Sequence, residues 1–423
     1  MKILIYGINF APELTGTGKY TGEMAGWLAG HGHEVRVVTA PPYYPGWQVA
    51  DGYSASRYRR QDWRWEHGAS VRVWRCPLWV PAAPGGARRL AHLASFAATS
   101  APALLAQARW RPDLVLMLEP TLFCAPAALL TARLAGAKAW LHVQDLEVDA
   151  AFDMGLLPAG RLRRFALTAE RALLARFDRV TTISERMLDR LRQKGLTTAQ
   201  TGLFPNWADV QRIHPLPAGT SPFRAELNLQ PGQVVALYAG NLGEKQGLDL
   251  LIDAAMELQD SPDIVFVIAG AGSARARLEA RSAGLVNVRW LPLQPVERLN
   301  DLLNLADIHL LPQRADAADL VMPSKLTGML ASGRPVLATA APETQVGLVS
   351  AQCGRLVPPA DLPAFAGALR ALAADRPARE RLGAAARAYA EENLAQEAIM
   401  ARFVQQAEQL VTLPTPERST EPR

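Results

Sequence analysis

Residues Leu310 to Ala338, LLPQRADAADLVMPSKLTGMLASGRPVLA, decide the fold. An apolar run opens into a polar loop, and Pro323, Ser324 and Lys325 stand where a helix would begin. Gly333, Arg334 and Pro335 end that helix and launch a second apolar run, Val336 to Ala338. Uninterrupted apolar runs of this length read as strands buried in a parallel sheet, with the helix as the crossover between them. The helix start brings free backbone N–H groups, a hydroxyl and an ammonium to one point at a strand end. That combination suits an anion of phosphate size.

The same rhythm extends in both directions. Strands are predicted at Ile3–Tyr6, Val35–Thr39, Leu114–Leu118, Ala139–Val143 and Val180–Ile183, separated by helices near 20–29, 90–108, 126–134, 162–175 and 185–194. A Pro-rich segment, 206–222, precedes a second series: Val234–Tyr238, Ile264–Ala269, Val288–Trp290, Ile308–Leu311 and Val336–Ala338, with helices near 248–259, 274–283, 296–304 and 326–331. With 423 residues, more than one ordinary core holds, this predicts two Rossmann-like doubly wound α/β domains facing a cleft. The expected boundaries are 1–207 and 208–392, then a helix at 393–412 returning to the first domain, and a polar, disordered tail at 413–423.

Composition narrows the class. Hydrophobic residues make up 49% and charged residues 20%, as in globular chains. Cys76, Cys124 and Cys353 are odd in number and widely spaced, which argues against a disulfide framework or a zinc site and fits a reducing compartment. No signal peptide or transmembrane span is expected, and the predicted location is cytoplasmic. Between Arg57 and Arg111 lie ten arginines, two acidic residues and five of the ten tryptophans. Cations mixed with amphipathic rings suit an anionic membrane surface, with Arg59, Arg60, Trp63, Arg64 and Trp65 as the contacts; a solvated loop is the plainer reading. No compact nucleic-acid-binding motif accompanies the patch, so nucleic acid ranks below both.

Glycines mark where ligands approach. After the first strand come Gly7, Pro12, Glu13, Gly16 and Gly18, then a helix. The segment GTGKY is no ATPase loop, because Glu13 occupies its first glycine position and Tyr20 the magnesium-binding hydroxyl position. After Val234–Tyr238 comes AGNLGEKQG, a second glycine-rich cradle in which Lys245 is placed to meet a diphosphate. The AGAG at 269–272 lacks the third glycine of a dinucleotide fingerprint, since Arg275 stands there.

In order and spacing these segments resemble family 4 glycosyltransferases of the GT-B fold over nearly the whole chain. The residues concerned are the loop 12–18, GHEV at 32–35, YAGNLGEKQG at 238–247, AGAG at 269–272, PSKLTGMLASGRPV at 323–336, Pro342 with Glu343, and GRLVPPAD at 354–361. Within that family the chain is most similar to colanic acid biosynthesis glycosyltransferases described as fucosyltransferases, through 10–25, 142–155 and 316–336.

The resemblance implies a nucleotide-sugar donor held by the C-terminal domain and a lipid-linked or oligosaccharide acceptor held by the N-terminal domain. It also implies retention at the anomeric carbon and no metal or other cofactor. A polyprenyl-diphosphate-linked acceptor would place the enzyme peripherally on the inner face of the cytoplasmic membrane. Donor candidates are Gly16, Gly18, Gly240, Asn241, Lys245, Pro323, Ser324, Lys325 and Glu343; acceptor candidates are Glu13, Tyr43 and Tyr44. The group assisting at the anomeric centre is sought among Asp145, His142 and Asp319. The acidic run Asp145, Glu147, Asp149 reads as a solvated or acceptor-facing loop rather than a cation site.

Two departures from the family pattern stand out. Where many relatives carry two glutamates separated by seven residues, this chain has Leu320 and Gly328, and where many carry arginine after the first loop glycine it has Asn241. Glu343 would supply a carboxylate near the nucleotide or cap a helix. The alternatives from other classes are a nucleotide-sugar 2-epimerase of the same fold and a non-catalytic nucleotide-sugar-binding protein.

Overall fold

Fourteen strands assemble into two separate sheets in the computed structural model, which describes residues 1–13, 16–65, 68–82, 85–146, 161–243, 246–314 and 323–412. Two compact units result: Met1–Pro205 together with the chain from Met400 onward, and Asn206–Ile399. The expectations for the tail 413–423, Lys245, Asp319 and Leu320 fall outside the described residues.

In the first unit the strands are β1 (Lys2–Tyr6), β2 (Glu34–Thr39), β3 (Arg59–Arg64), β4 (Ser70–Arg75), β5 (Leu114–Glu119), β6 (Lys138–Val143), β7 (Arg179–Thr182) and β8 (Thr201–Leu203). They run in the order β3-β4-β2-β1-β5-β6-β7-β8, all parallel except β3, which pairs antiparallel to β4. Buried on both faces, β5 (LVLMLE) and β6 (KAWLHV) read as continuous apolar runs. The last helix, Gln396–Thr412, sends Phe403 into this unit, stacked on Phe204 and 4.9 Å from the buried Trp140 ring.

The second unit contains β9 (Val234–Ala239), β10 (Ile264–Ala269), β11 (Val288–Leu291), β12 (Ile308–Leu311), β13 (Val336–Thr339) and β14 (Gly354–Val357), in the order β11-β10-β9-β12-β13-β14, wholly parallel. Strand order reverses between β9 and β12, and open sheets of this kind bind ligands outside the carboxyl ends of strands at that reversal. Alternate residues of β9 serve opposite faces. Val234, Ala236 and Tyr238 pack toward Leu251, Leu369 and their neighbours, whereas Val235 and Leu237 pack toward Phe223 and Leu302.

The opening stretch folds as strand, helix and strand: β12, the helix Ser324–Ala331 and β13. Gly333, at φ +67°, closes the helix in the left-handed conformation that glycine adopts most readily. Arg387, on the helix Arg376–Asn393, holds the same end by donating to the carbonyls of Ala331 and Ile213, both at 2.8 Å, and of Val210 at 3.0 Å. Four strands escape the sequence reading: β3, β4, β8 and β14. β3, β8 and β14 lie at sheet edges, β4 is an interior strand whose arginines and tryptophan mask its alternation, and β3 (RRQDWR) carries almost no apolar signal.

Candidate functional site

Lys325 enters from the first turn of its helix, just outside the carboxyl ends of β9 and β12. The side chain is half-buried, with its ammonium turned inward. Nζ donates to Tyr238 Oη at 2.8 Å and to Gln246 Oε1 at 2.7 Å, and lies 4.5 Å from the centroid of the Tyr238 ring. Tyr238 passes the network on, donating to the Asn241 carbonyl at 2.7 Å. Among the described residues no carboxylate pairs with this ammonium. Burial pushes its pKa down to about 7, because desolvation penalises the charged form. A cation held this way by neutral partners is poised for an anion.

The cradle around it is backbone. Gly240 N donates to Ala269 O at 3.0 Å, Leu242 N to Ala271 O at 2.8 Å and Gly270 N to Leu291 O at 3.2 Å, so the loops after β9, β10 and β11 are stitched side by side. Gly270 makes this possible: at φ +142°, its Cβ would stand 1.9 Å from the Gly240 carbonyl oxygen. Arg275, which departs from the dinucleotide fingerprint, ties the same loop down by donating to Gly270 O at 2.6 Å and Leu291 O at 3.0 Å. The Asn241 side chain lies against Gly243 and Gly272.

The remaining donor candidates divide. Pro323 caps the helix start without a side-chain bond, and Ser324 is exposed. Glu343 is exposed in the turn after β13, and the cap of the next helix is Thr344, whose Oγ1 accepts from Gly347 N at 2.9 Å. A Cβ at Gly328 would lie 3.2 Å from Leu303 Cδ1 and 3.8 Å from Ile213 Cδ1, so this position faces apolar side chains.

In the first unit Glu13 is buried and fully engaged. Oε1 accepts from Tyr43 N and Tyr44 N, both at 3.0 Å, and Oε2 accepts from Asn9 Nδ2 at 2.9 Å. Burial raises its pKa, and these bonds oppose the rise. The carboxylate thereby fixes the 43–44 backbone against the helix Gly16–Gly30, and a Cβ on Gly18 would meet Oε2 at 2.3 Å. Gly16 opens that helix at φ +61°, beside the Tyr44 ring. Tyr43 is buried edge-on to Trp47 and His92, while Tyr44 is partly exposed with its pKa raised by burial.

His142 belongs to the sheet interior. Gln144 Nε2 donates to its Nε2 at 3.0 Å, and its Nδ1 faces Thr181 Oγ1 at 3.1 Å. Burial lowers its pKa to about 3, so the ring stays neutral. Asp145 follows β6 and is half-buried. Among the described residues no group of three or more His, Cys, Asp or Glu side chains is arranged to hold a metal ion.

Residues 15–207 match the Glycosyl transferase 4-like domain, and residues 220–389 match Glycosyl transferases group 1. A protein of Escherichia coli (strain K12) named for colanic acid biosynthesis, the glycosyl transferase WcaI, is 48% identical over 353 residues, covering 82% of this chain and 85% of that protein. The chain belongs to the group 1 glycosyltransferases. Solved structures agree on the fold. Sucrose-phosphate synthase of Thermosynechococcus elongatus superposes with a TM-score of 0.75 at 18% identity, covering 97% of this chain and 98% of that one. Anabaena Alr3699/HepE gives 0.69 at 15% identity, with 97% and 100% covered.

Three residues of this glycosyltransferase escaped the sequence reading of the site: Tyr238, Gln246 and Arg75. Tyr238 sits at the end of an apolar run and looks like core, although its hydroxyl points back to the loop. Arg75 reads as one of many surface arginines. However, Val71, Val73 and Arg75 alternate along β4 on its buried face, and Arg75 is 1% exposed. It donates to the Ala11 carbonyl and to Ala40 O at 2.9 Å. The tryptophans of the patch are also less free than expected. The Trp65 ring lies on Gly22 and Gly26, where a Cβ at Gly26 would come within 2.6 Å, and Trp63 packs edge-on to Trp65 and Phe10. Arg59, Arg60 and Arg64 are exposed along the edge strand β3. Among the described residues no helix is long and apolar enough to cross a membrane.

Proposed function

We propose that this glycosyltransferase moves fucose from GDP-fucose to a lipid-linked or oligosaccharide acceptor in exopolysaccharide synthesis, with retention at the anomeric carbon and without a metal ion. The observation that carries the donor half is Lys325, an inward-turned ammonium with no carboxylate partner among the described residues, at the reversal of strand order in the second unit. A nucleotide diphosphate supplies the missing negative charge. The name of the Escherichia coli relative supports a polysaccharide product, and the HepE structure, described as a complex with UDP and glucose, supports a nucleotide-sugar donor on this fold.

Transfer breaks the bond between the anomeric carbon and the diphosphate oxygen and forms one to an acceptor hydroxyl oxygen. The acceptor proton passes to the departing diphosphate on the same face of the sugar. Lys325, with Lys245, neutralises the charge that develops on the leaving group, and the helix start at Ser324 and Lys325 offers N–H donors to it. These cations take the place a metal would otherwise have. The group assisting at the anomeric carbon is proposed to be either Asp145 or Asp319. His142, buried and neutral, is assigned a supporting role in the sheet, and Glu13 positions the loop carrying Tyr43 and Tyr44 toward the acceptor.

Purified protein assayed with GDP-fucose and a panel of UDP-sugars, with and without EDTA, tests this. A fucosylated product that keeps the donor's anomeric configuration, formed equally in EDTA, is expected. Epimerised donor, or tight nucleotide binding without turnover, would contradict it.

A further inference from the structure

A cavity of about 240 Å³ opens in the first unit, and none of the donor candidates lines it. Pro41, just past β2, and Arg75, the last residue of β4, lie on its wall, so it sits at the carboxyl ends of these strands. The other side chains with chemistry to offer are Tyr53, Ser54, Arg57, Tyr58 and Arg59, and none of the lining residues is acidic.

The charge distribution is unusual. Arg75 is a buried guanidinium at the deep end, and its Nε has no hydrogen-bond partner although both its Nη atoms do. The buried Glu13 carboxylate acts on Arg75 through its charge, but it makes no ion pair with it and does not line the cavity. Arg57, exposed at the mouth, makes no hydrogen bond or ion pair within the described chain. Arg59 uses Nη1 on the Gly52 carbonyl at 2.8 Å, which keeps its other nitrogens available. Tyr58 Oη donates to Thr99 O at 2.8 Å, fixing the wall between the two exposed arginines. Glu13 offsets the charge of Arg75, whereas Arg57 and Arg59 at the mouth have no carboxylate among the lining residues, so an anion entering the cavity would meet uncompensated positive charge there. The volume falls below the ~300 Å³ at which pockets begin to hold whole drug-sized ligands, so the occupant is a small anionic group rather than a nucleotide sugar.

We infer that this cavity is a second anion site, which takes a phosphoryl group of the acceptor by the forked geometry that arginine presents to phosphate oxygens. The inference rests on the lipid-linked form of the proposed acceptor, in which a diphosphate joins the sugar to its lipid. It assigns that diphosphate to Arg57 and Arg59, leaving Lys325 to the donor.

Calorimetric titration of the full chain with inorganic pyrophosphate tests it, using Lys325→Met to weaken the donor site. The K325M protein is expected to retain a pyrophosphate site, and adding Arg57→Ala and Arg59→Ala is expected to weaken it at least about tenfold, as the loss of charge-assisted bonds requires. Both arginines are exposed, so the folded state should survive, and an R57K/R59K version, which keeps charge but not the fork, should fall between. Equal affinity with and without Arg57 and Arg59, or no pyrophosphate binding by K325M, would overturn the site. GDP and UDP affinity in R57A/R59A on the Lys325 background should be unchanged; its loss would overturn the separation of the two sites. Geranyl diphosphate binding more tightly than pyrophosphate marks a lipid-linked source, and equal binding marks a free phosphorylated one. If no nucleotide binds while Arg57-dependent pyrophosphate binding persists, the donor assignment falls and the anion site stands.

Discussion

Replacing Lys325 by methionine keeps an apolar stem beside Tyr238 and deletes the charge. In the free protein Nζ is hydrogen-bonded to Tyr238 Oη and Gln246 Oε1, and its pKa is about 7, so about half the molecules carry the charge at neutral pH. A diphosphate gains a charge-assisted bond on the order of 1.5 to 3 kcal/mol, a loss of about 10- to 150-fold in affinity for K325M at pH 6. The sign of the pH effect follows from the downward shift. The cation is present below pH 7 and lost as pH rises through it, so diphosphate affinity of the native protein should fall by up to about tenfold per pH unit above 7, with proton uptake on binding. Stability moves the other way. The unfolded lysine holds its proton up to about pH 10.4, so the native protein gains stability between pH 7 and that value, and K325M removes this gain. Calorimetry with GDP and UDP at pH 6, 7 and 8, in two buffers of different ionisation enthalpy, reads the binding effects, and urea unfolding of both proteins at pH 7 and 9 reads the stability. Equal affinity of native and K325M protein at pH 6, or a native affinity independent of pH, would refute the assignment.

Three further perturbations follow. Glu13→Gln sets the new amide N–H₂ against Asn9 Nδ2, two donors face to face, and should lower stability by about 1 to 3 kcal/mol in urea unfolding. Gly270→Ala drives a methyl group into the Gly240 carbonyl and should cost about 1 to 3 kcal/mol while also weakening nucleotide binding, since the loops after β9 and β10 must part. Replacing Arg59, Arg60 and Arg64 with serine should abolish flotation with anionic liposomes at low salt, whereas Trp65→Ala, which empties the space over Gly22 and Gly26, should act on unfolding rather than on flotation.

Parallel strands buried on both faces declare themselves as apolar runs, so β9, β10 and β12 were legible almost to the residue. Edge strands do not. β3 has polar residues at nearly every position because it pairs on one side alone, and the arginines and tryptophans that suggested a surface loop build it. The helix start at Lys325 was legible because proline, glycine and the flanking strands fix its place. What the sequence withheld was which side chains converge on it. Tyr238 and Gln246 lie 87 and 79 residues from Lys325, and only the sheet order makes them neighbours. Arg75 was misread for a related reason: arginine is rarely buried, and only the alternation with Val71 and Val73 hints that its face of β4 turns inward.

The most direct test of the central claim is the structure of this glycosyltransferase with a nucleoside diphosphate bound. A diphosphate oxygen within hydrogen-bonding distance of Lys325 Nζ, beside the backbone at Gly240 and the start of the Ser324–Ala331 helix, is the predicted result. A diphosphate bound elsewhere, with Lys325 still engaged only by Tyr238 and Gln246, would contradict the account.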